Sequence, residues 1–417
     1  MFRKALSFVT VLSVLVLTIP AQKGFDYPKA RKANQVDDFH GVKVADPYRW
    51  MEDTGSAETQ SWIEAQNKLT NSYFETIPQR ARIRERLTEI WNYERVSAPS
   101  KIGKRYIYSR NDGLQNQSVL YITDSINDPG KIFFDPNKLS ADGTAALSGS
   151  SFTEDGKLWA YGVARSGSDR TEWRIMNVET GEQLSDTLPP NRQGGVAWLN
   201  DNSGFFYQRY PAPEAGAELR AANKFPKIYF HKLGTPISED KVIYERNDDG
   251  ELTSGGLVTE DGKWYLIFTS KGTQRMNEVH FKDLSRPDSP IVPLVAERTA
   301  SWSFVGNDGP VFYFRTDKDA ERGKLVSINV LARTRIWKEV IPPAAETLNG
   351  VQMINNQFVA NYLKDAYTKI KIFDKDGKHV RDVELPGIGS AGGFGGKQTD
   401  TETFYTFSSY NAPPTIY

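Results

Sequence analysis

The chain has 417 residues, with 52 basic and 52 acidic side chains and no cysteine. The balanced charge lacks the electrostatic footprint of a nucleic-acid binder. The missing cysteines exclude disulfides, Cys-ligated zinc, iron–sulfur clusters and a thiol nucleophile. At 39% hydrophobic and 12% aromatic residues the sequence is too apolar for a disordered chain, and it is long enough for one large core or several smaller ones.

The first 21 residues stand apart. Arg3 and Lys4 precede an apolar run from Ala5 to Ile19, followed by Pro20 and Ala21. A basic start, a short apolar run and a small residue at the cut site describe a secretory signal peptide. The run falls short of the roughly 20 residues a membrane-spanning helix needs. Cleavage would leave an excess of two acidic side chains, no lipid-anchoring cysteine and no later span, so the expected location is periplasmic or secreted, off the membrane.

Residues 22–95 read as an N-terminal arm with two helices. An irregular stretch, Tyr27–Asp53, comes first. In Ala57–Glu75, Trp62, Leu69 and Tyr73 recur at helical spacing, with Ile63 beside them. Pro78–Glu94 opens on a proline suited to a first helical turn, and Ile83, Leu87, Ile90 and Trp91 form one apolar stripe. Arg80, Arg82, Arg84, Glu85, Arg86 and Glu89 lie opposite and read as a solvated face.

After residue 95 the period changes to two and the chain repeats. Tight turns fall at Gly103, Gly156, Gly204, Gly262, Gly309, Asn356 and Thr401, spaced 45–58 residues apart. An aromatic or β-branched strand follows each of them. One complete unit reads as four strands, Gly195–Leu199, Gly204–Tyr210, Lys227–Leu233 and Lys241–Arg246. Seven such units over residues 96–417 predict an all-β domain, a seven-bladed β-propeller. A lone four-stranded sheet with two apolar faces cannot bury either, whereas a ring of seven lets each face cover its neighbour. The first strand of each unit is expected to line the channel. There the residues are small and polar, as in Gly149-Ser150-Ser151, Gly194-Gly195, Ser254-Gly255-Gly256 and Gly389-Ser390-Ala391-Gly392. The last unit is incomplete: Gly389–Gly395, Thr401–Phe407, and Thr415-Ile416-Tyr417 as the start of a third strand. That leaves an open sheet edge.

The search for catalytic residues assigns none. No Gly-x-Ser-x-Gly occurs; Ser203 is flanked by Asp201 and Phe205, and Ser390 by Ile388 and Gly392. Of the four histidines, His231 and His280 lie in expected strands and His379 follows a hairpin turn, so a structural role is expected for these three; His40 sits in an ordered-looking loop, where no catalytic role is expected. His-Glu-x-x-His is absent, no histidine pair has metal-binding spacing, and Asp374-Lys375-Asp376-Gly377 reads as a hairpin turn rather than a calcium loop. Gly387-Ile388-Gly389-Ser390-Ala391-Gly392 matches Gly-x-Gly-x-x-Gly, but no helix follows to hold a pyrophosphate, so it reads as a loop and inner strand. No metal and no cofactor are expected.

Several stretches resemble the N-terminal part of the prolyl oligopeptidase family, serine peptidases that pair a seven-bladed propeller with an α/β-hydrolase domain. They are Asp38-Phe39-His40-Gly41, Val44-Ala45-Asp46-Pro47-Tyr48-Arg49-Trp50-Met51-Glu52-Asp53, Asn111-Asp112-Gly113-Leu114-Gln115-Asn116-Gln117-Ser118-Val119-Leu120, Ser166-Gly167-Ser168-Asp169 and Lys227-Ile228-Tyr229-Phe230-His231-Lys232-Leu233-Gly234-Thr235. The resemblance runs from about Phe25 to Tyr417. It implies that the Ser-Asp-His triad belongs to a hydrolase domain expected to be absent here, so no catalytic residue is carried over. The family's pocket-lining positions fall outside the shared motifs, so no substrate-binding residue is assigned either. It also implies that the arm packs on that domain, leaving Ile83, Leu87 and Ile90 without part of their partner.

The resemblance favours the substrate-gating part of a peptidase of short proline-containing peptides, which cleaves through a serine ester stabilised by an oxyanion hole. Its expected partners are short peptides and the hydrolase domain. A free-standing propeller that binds a peptide or protein is the alternative. A complete small enzyme with its own site in the channel is the third reading, and it lacks a nucleophile–base constellation.

Overall fold

Hydrophobic alternation on both faces of one strand dictates the architecture. In Trp264–Lys271, Trp264 and Leu266 point to one side and Tyr265 and Ile267 to the other, and all four are buried. A strand apolar on both faces is stable only between two other sheets. The computed structural model describes residues 24–192, 194–212 and 222–417, and the expected signal peptide lies outside them. Two compact units divide at residues 87 and 88. Among the described residues no helix is long and apolar enough to cross a membrane.

In the first unit, Val36–Phe39 and Val42–Ala45 form a hairpin about the His40-Gly41 turn, where both residues have positive φ. Asp38 accepts the Gly41 N–H at 2.6 Å and closes the turn. Arg49 ties the next segment together by pairing with Asp37 and, at 2.6 Å, with Asp46. Helix α1, Ala57–Glu75, starts on the Ser56 cap, whose hydroxyl accepts the Thr59 N–H. Tyr73 meets Phe25 edge-on at 5.2 Å. Helix α2, Arg80–Trp91, is shorter at both ends than the expected Pro78–Glu94. Pro78 stands in the preceding turn, and the helix stops before Arg95–Val96 joins the first sheet. Its stripe of Ile83, Leu87, Ile90 and Trp91 is exposed.

The second unit carries seven antiparallel sheets in chain order, spanning residues 95–134, 145–192, 196–244, 252–295, 302–341, 347–383 and 390–416, here blades 1 to 7. Blade 4 is typical: Leu252–Val258, Trp264–Lys271, Asn277–Asp283 and Val292–Val295 pair in sequence. In blade 1 the innermost strand is split into Arg95–Val96 and Ser100–Ile102, both paired with Arg105–Asn111. Blade 7 has three strands, and the third runs from Ala412 to Ile416 rather than starting at Thr415. Pro413 and Pro414 fit there because a register shift lies between the Phe407 and Ser409 pairings and the strand is at an edge, where a missing N–H costs least.

Six buried clusters hold neighbouring blades together. Trp159 and Tyr161 join blade 2 to blade 1, and Trp198 and Phe205 join blade 3 to Trp173 of blade 2. Phe206 stacks on Tyr265 at 4.0 Å between blades 3 and 4. Phe312 and Phe314 pack on Trp264 and Leu266 between blades 4 and 5, Tyr313 on Phe358 between 5 and 6, and Phe394 and Phe407 on Val359 between 6 and 7. Each fully buried aromatic or aliphatic side chain contributes about 1.5–3 kcal/mol. Among the described residues no such cluster joins blade 7 to blade 1. That seam has an edge-on Tyr106–Phe404 ring pair, a Tyr106–Glu402 hydrogen bond and a Lys101–Asp400 ion pair. Beside it opens a cleft of about 510 Å³ flanked by Tyr108, Arg110 and Ile416.

Some inner-strand glycines are required because a Cβ would collide with an aromatic side chain of the same blade. A Cβ on Gly149 would lie 2.4 Å from the Trp173 ring, and one on Gly256 would lie 2.5 Å from the Tyr265 hydroxyl. An aromatic of the third strand fills that space in blade 2 and one of the second strand in blade 4. Gly255 is open, with nothing within 4 Å of a Cβ. Ser254 turns away from the channel, buried against Thr269 at 2.8 Å, and Gly194 precedes its strand, which starts at Val196. Ser150, Gly255, Ser303, Gln352, Ser390 and Gly392, exposed along the inner strands, carry no charge, and Asp308, which is exposed and charged, stands at the turn end of its strand.

Candidate functional site

The turns between first and second strands gather at one end of the channel, and their chemistry is repetitive. In blade 2, Asp155 accepts the Thr153 hydroxyl at 2.9 Å and the Lys157 N–H at 3.1 Å; in blade 4, Asp261 does the same with Thr259 and Lys263. Each aspartate has a second oxygen for the next blade. Asp155 receives the Asn202 amide and Asp261 the Asn307 amide, both at 3.0 Å. Burial works against the Asp155 carboxylate, but Lys157, Thr153 and Asn202 together hold its pKa down at about 2. The belt continues through Asn200 to the Glu260 carbonyl and Lys375 to Asp308, both at 2.8 Å.

Blade 7 departs from this pattern. Eight residues, 396–403, separate its first two strands, against five in blades 2 and 4. Lys397 Nζ reaches the Glu154 carbonyl at 2.7 Å and Oε1 at 2.6 Å. The Gln398 N–H donates to Glu260 Oε2 at 2.9 Å, and its side chain donates to Asn356 at 3.0 Å. Asp400, almost fully buried, accepts the Lys397 N–H at 2.8 Å and pairs with Lys101 at 3.0 Å. These partners belong to blades 1, 2, 4 and 6. In a ring of seven, blade 4 is as far from blade 7 as any blade can be. A backbone N–H of blade 7 bonded to a side chain of blade 4 therefore requires the segment to cross the channel mouth.

The arrangement can bar passage and hold the ring closed. The histidines take no part in it. His40 is a turn residue in the hairpin of the first unit. His231 is fully buried, with Nδ1 2.8 Å from Asp240 and Nε2 3.0 Å from Asp186. His280 sits in the third strand of blade 4 with Nδ1 unpartnered, and burial lowers its pKa. His379 bonds Asp382 at 2.7 Å. Among the described residues no serine hydrogen-bonds to a histidine; Ser203 donates to Asp201 at 2.6 Å. The Asp374 carboxylate accepts the Asp376 and Lys378 N–H groups within a hairpin turn. Gly387–Gly392 runs from a loop into the inner strand Ser390–Gly395. Among the described residues no group of three or more metal-ligating side chains could hold an ion.

Sequence reasoning missed Lys397, Gln398, Glu154 and Glu260 as a set. The signal available was the longer turn in the seventh unit.

Residues 27–417 match the model of the prolyl oligopeptidase N-terminal β-propeller domain. A prolyl endopeptidase of Elizabethkingia miricola is 37% identical over 417 residues, covering 100% of this chain and 58% of the relative. One of Elizabethkingia meningoseptica is 38% identical over 412 residues, 98% of this chain and 58% of the relative. Among solved structures, prolyl oligopeptidase B from Galerina marginata, bound to a 25mer macrocyclization substrate, superposes with a TM-score of 0.80 at 29% identity, covering 94% of this chain and 58% of that one. The chain thus spans 58% of the length of these curated relatives.

Proposed function

This chain belongs to the prolyl oligopeptidase family as its propeller portion, and on that premise we propose that it is the substrate-gating part of a serine endopeptidase acting on short proline-containing peptides. The observation that carries this reading is the segment 396–403, anchored to four other blades across the turn-side mouth. A channel crossed at that end excludes folded protein there, while the exposed inner-strand positions away from the turns are uncharged and offer no electrostatic trap to a short peptide. In this reading bond cleavage is supplied by an α/β-hydrolase domain, and the arm, with the exposed stripe of α2, packs on it. The apolar run of the first 21 residues supports export to the periplasm or the medium.

The test is a chimera in which this chain replaces the propeller of the Elizabethkingia miricola relative. We expect it to cleave a short Pro-linked reporter peptide and to spare a folded protein carrying the same sequence in a surface loop. The purified chain alone should neither hydrolyse the reporter nor be labelled by a fluorophosphonate. A chimera that cuts the folded protein as fast as the peptide would refute gating; labelling of the chain alone would refute the division of labour.

A further inference from the structure

Arg209 ends the second strand of blade 3, and Arg170 opens the third strand of blade 2. Both stand at the end of the ring opposite the first-to-second-strand turns. Between the two blades lies a cleft of about 370 Å³, walled by Arg170, Pro189, Pro190, Arg209, Tyr210 and Tyr229. Neighbouring cations on this rim are matched, Arg192 with Asp169 at 2.5 Å and Lys227 with Glu245 at 2.6 Å. Arg209, half-buried, pairs with no carboxylate among the described residues. Its guanidinium lies over the Tyr229 ring, 4.4 Å from the ring centre, and 5.9 Å from that of Tyr207.

We propose that this cleft is a binding site for a carboxylate carried on a short peptide, with Arg209 as the residue that recognises it. The choice of a peptide as the bearer rests on the reading of this ring as a peptide gate; the choice of a carboxylate rests on the cleft alone. A charge held partly out of water without a counter-charge is costly, and a ligand that brings one removes the cost. Stacking on Tyr229 occupies the face of the guanidinium. Its N–H donors lie in the plane, at the edges, in the fork that takes both oxygens of a carboxylate. Pro189 and Pro190 have no N–H to compete for the anion, and with the tyrosine rings they offer an apolar surface to the segment that carries it. The volume falls within the range of small-ligand pockets, about 300–1,000 Å³, and suits a short segment rather than a folded surface. The cleft lies between blades, off the inner strands and at the far end from the segment 396–403, so recognition of charge there is compatible with an uncharged wall.

Isothermal titration calorimetry on the purified chain at low salt tests the site with two matched pairs of probes. One pair is acetyl-Ala-Pro-Glu-amide and its neutral isostere acetyl-Ala-Pro-Gln-amide; the other is acetyl-Ala-Pro-Ala as the free acid and as the amide. The acid of at least one pair should bind about tenfold or more tighter than its neutral partner, the scale of a hydrogen-bonded charge pair. Preference in the first pair assigns the site to acidic side chains, and in the second to peptide C termini. Arg209→Gln should bring acid and neutral partner to within about twofold, and Arg209→Lys, a point charge without the fork, should keep a reduced preference of about threefold. Near-ultraviolet circular dichroism checks that the ring is intact, and the lysine variant keeps the test readable where the glutamine variant does not fold. Equal affinities within both pairs, no saturable binding of either acid, or a preference that survives Arg209→Gln overturns the site. Its failure is separable from failure of gating. A chain indifferent to charge together with a chimera that spares folded protein removes the site and leaves the gate. A chain that selects acids with an unselective chimera leaves the site standing and removes gating.

Discussion

His231 is gripped from two sides by buried carboxylates. Asp186 also accepts the Gly234 N–H at 2.6 Å, and Asp240 the Tyr207 hydroxyl at 2.6 Å, so neither acid is free to release the ring. The three side chains bind strands of blades 2 and 3 to the loop before the last strand of blade 3. Replacing the ring with an apolar one, His231→Phe, leaves two buried carboxylates without a donor between them. Leaving a buried hydrogen-bonding group without its partner costs about 1–3 kcal/mol, and more where the group is charged. Urea denaturation of the variant should show a loss of that order with an unchanged m-value; a loss below about 1 kcal/mol, the scale of exposed pairs, would mean that the carboxylates find water. The position of His231 was legible, because it sits within the alternating run Lys227–Lys232. Its partners were not. Asp186 is 45 residues away, and only the pairing of strands around the ring brings them together. The same is true of Lys397 and Glu154, which are 243 residues apart.

Strand alternation carried most of the architecture, since period two is local: Trp159 and Tyr161 against Ala160, or Phe312 and Phe314 against Tyr313, assign faces without knowledge of the neighbour. The seam was not legible. Tyr106 and Tyr108 look as well suited to a core as those aromatics, but across the seam they meet the Phe404 ring, the Glu402 carboxylate and an open cleft rather than a packed cluster. Local stability follows buried apolar contact, so the blades should not open with equal ease. Hydrogen exchange read by mass spectrometry should show amides of Arg105–Asn111 and Phe404–Ser409 exchanging well before those of Trp264–Lys271 and Val311–Thr316. Equal protection around the ring, or earlier exchange in blades 4 and 5, would show that the Lys101, Glu402 and Lys397 contacts replace a packed interface after all.

At the scale of the whole molecule, charge is arranged in a way that composition alone conceals. The 52 basic and 52 acidic side chains cancel, and the exposed inner-strand positions away from the turns carry none of them, whereas the turn-side mouth concentrates Glu154, Glu260, Asp308, Asp400, Lys101 and Lys397. A channel of that kind should sort by size and not by sign. Gly255→Cys offers a probe at mid-wall: a Cβ there meets nothing within 4 Å, and it would be the only thiol in the chain. Cationic and anionic methanethiosulfonates of equal size should modify it at rates that agree within about threefold once referred to a free thiol, because field effects of much less than 1.4 kcal/mol stay below a factor of ten. Raising the ionic strength to about 1 M, where the screening length falls to about 3 Å, should leave the ratio unchanged. A tenfold preference for either sign that collapses in salt would place the steering charge inside the channel, and the separation of an uncharged wall from a charged mouth would have to be abandoned.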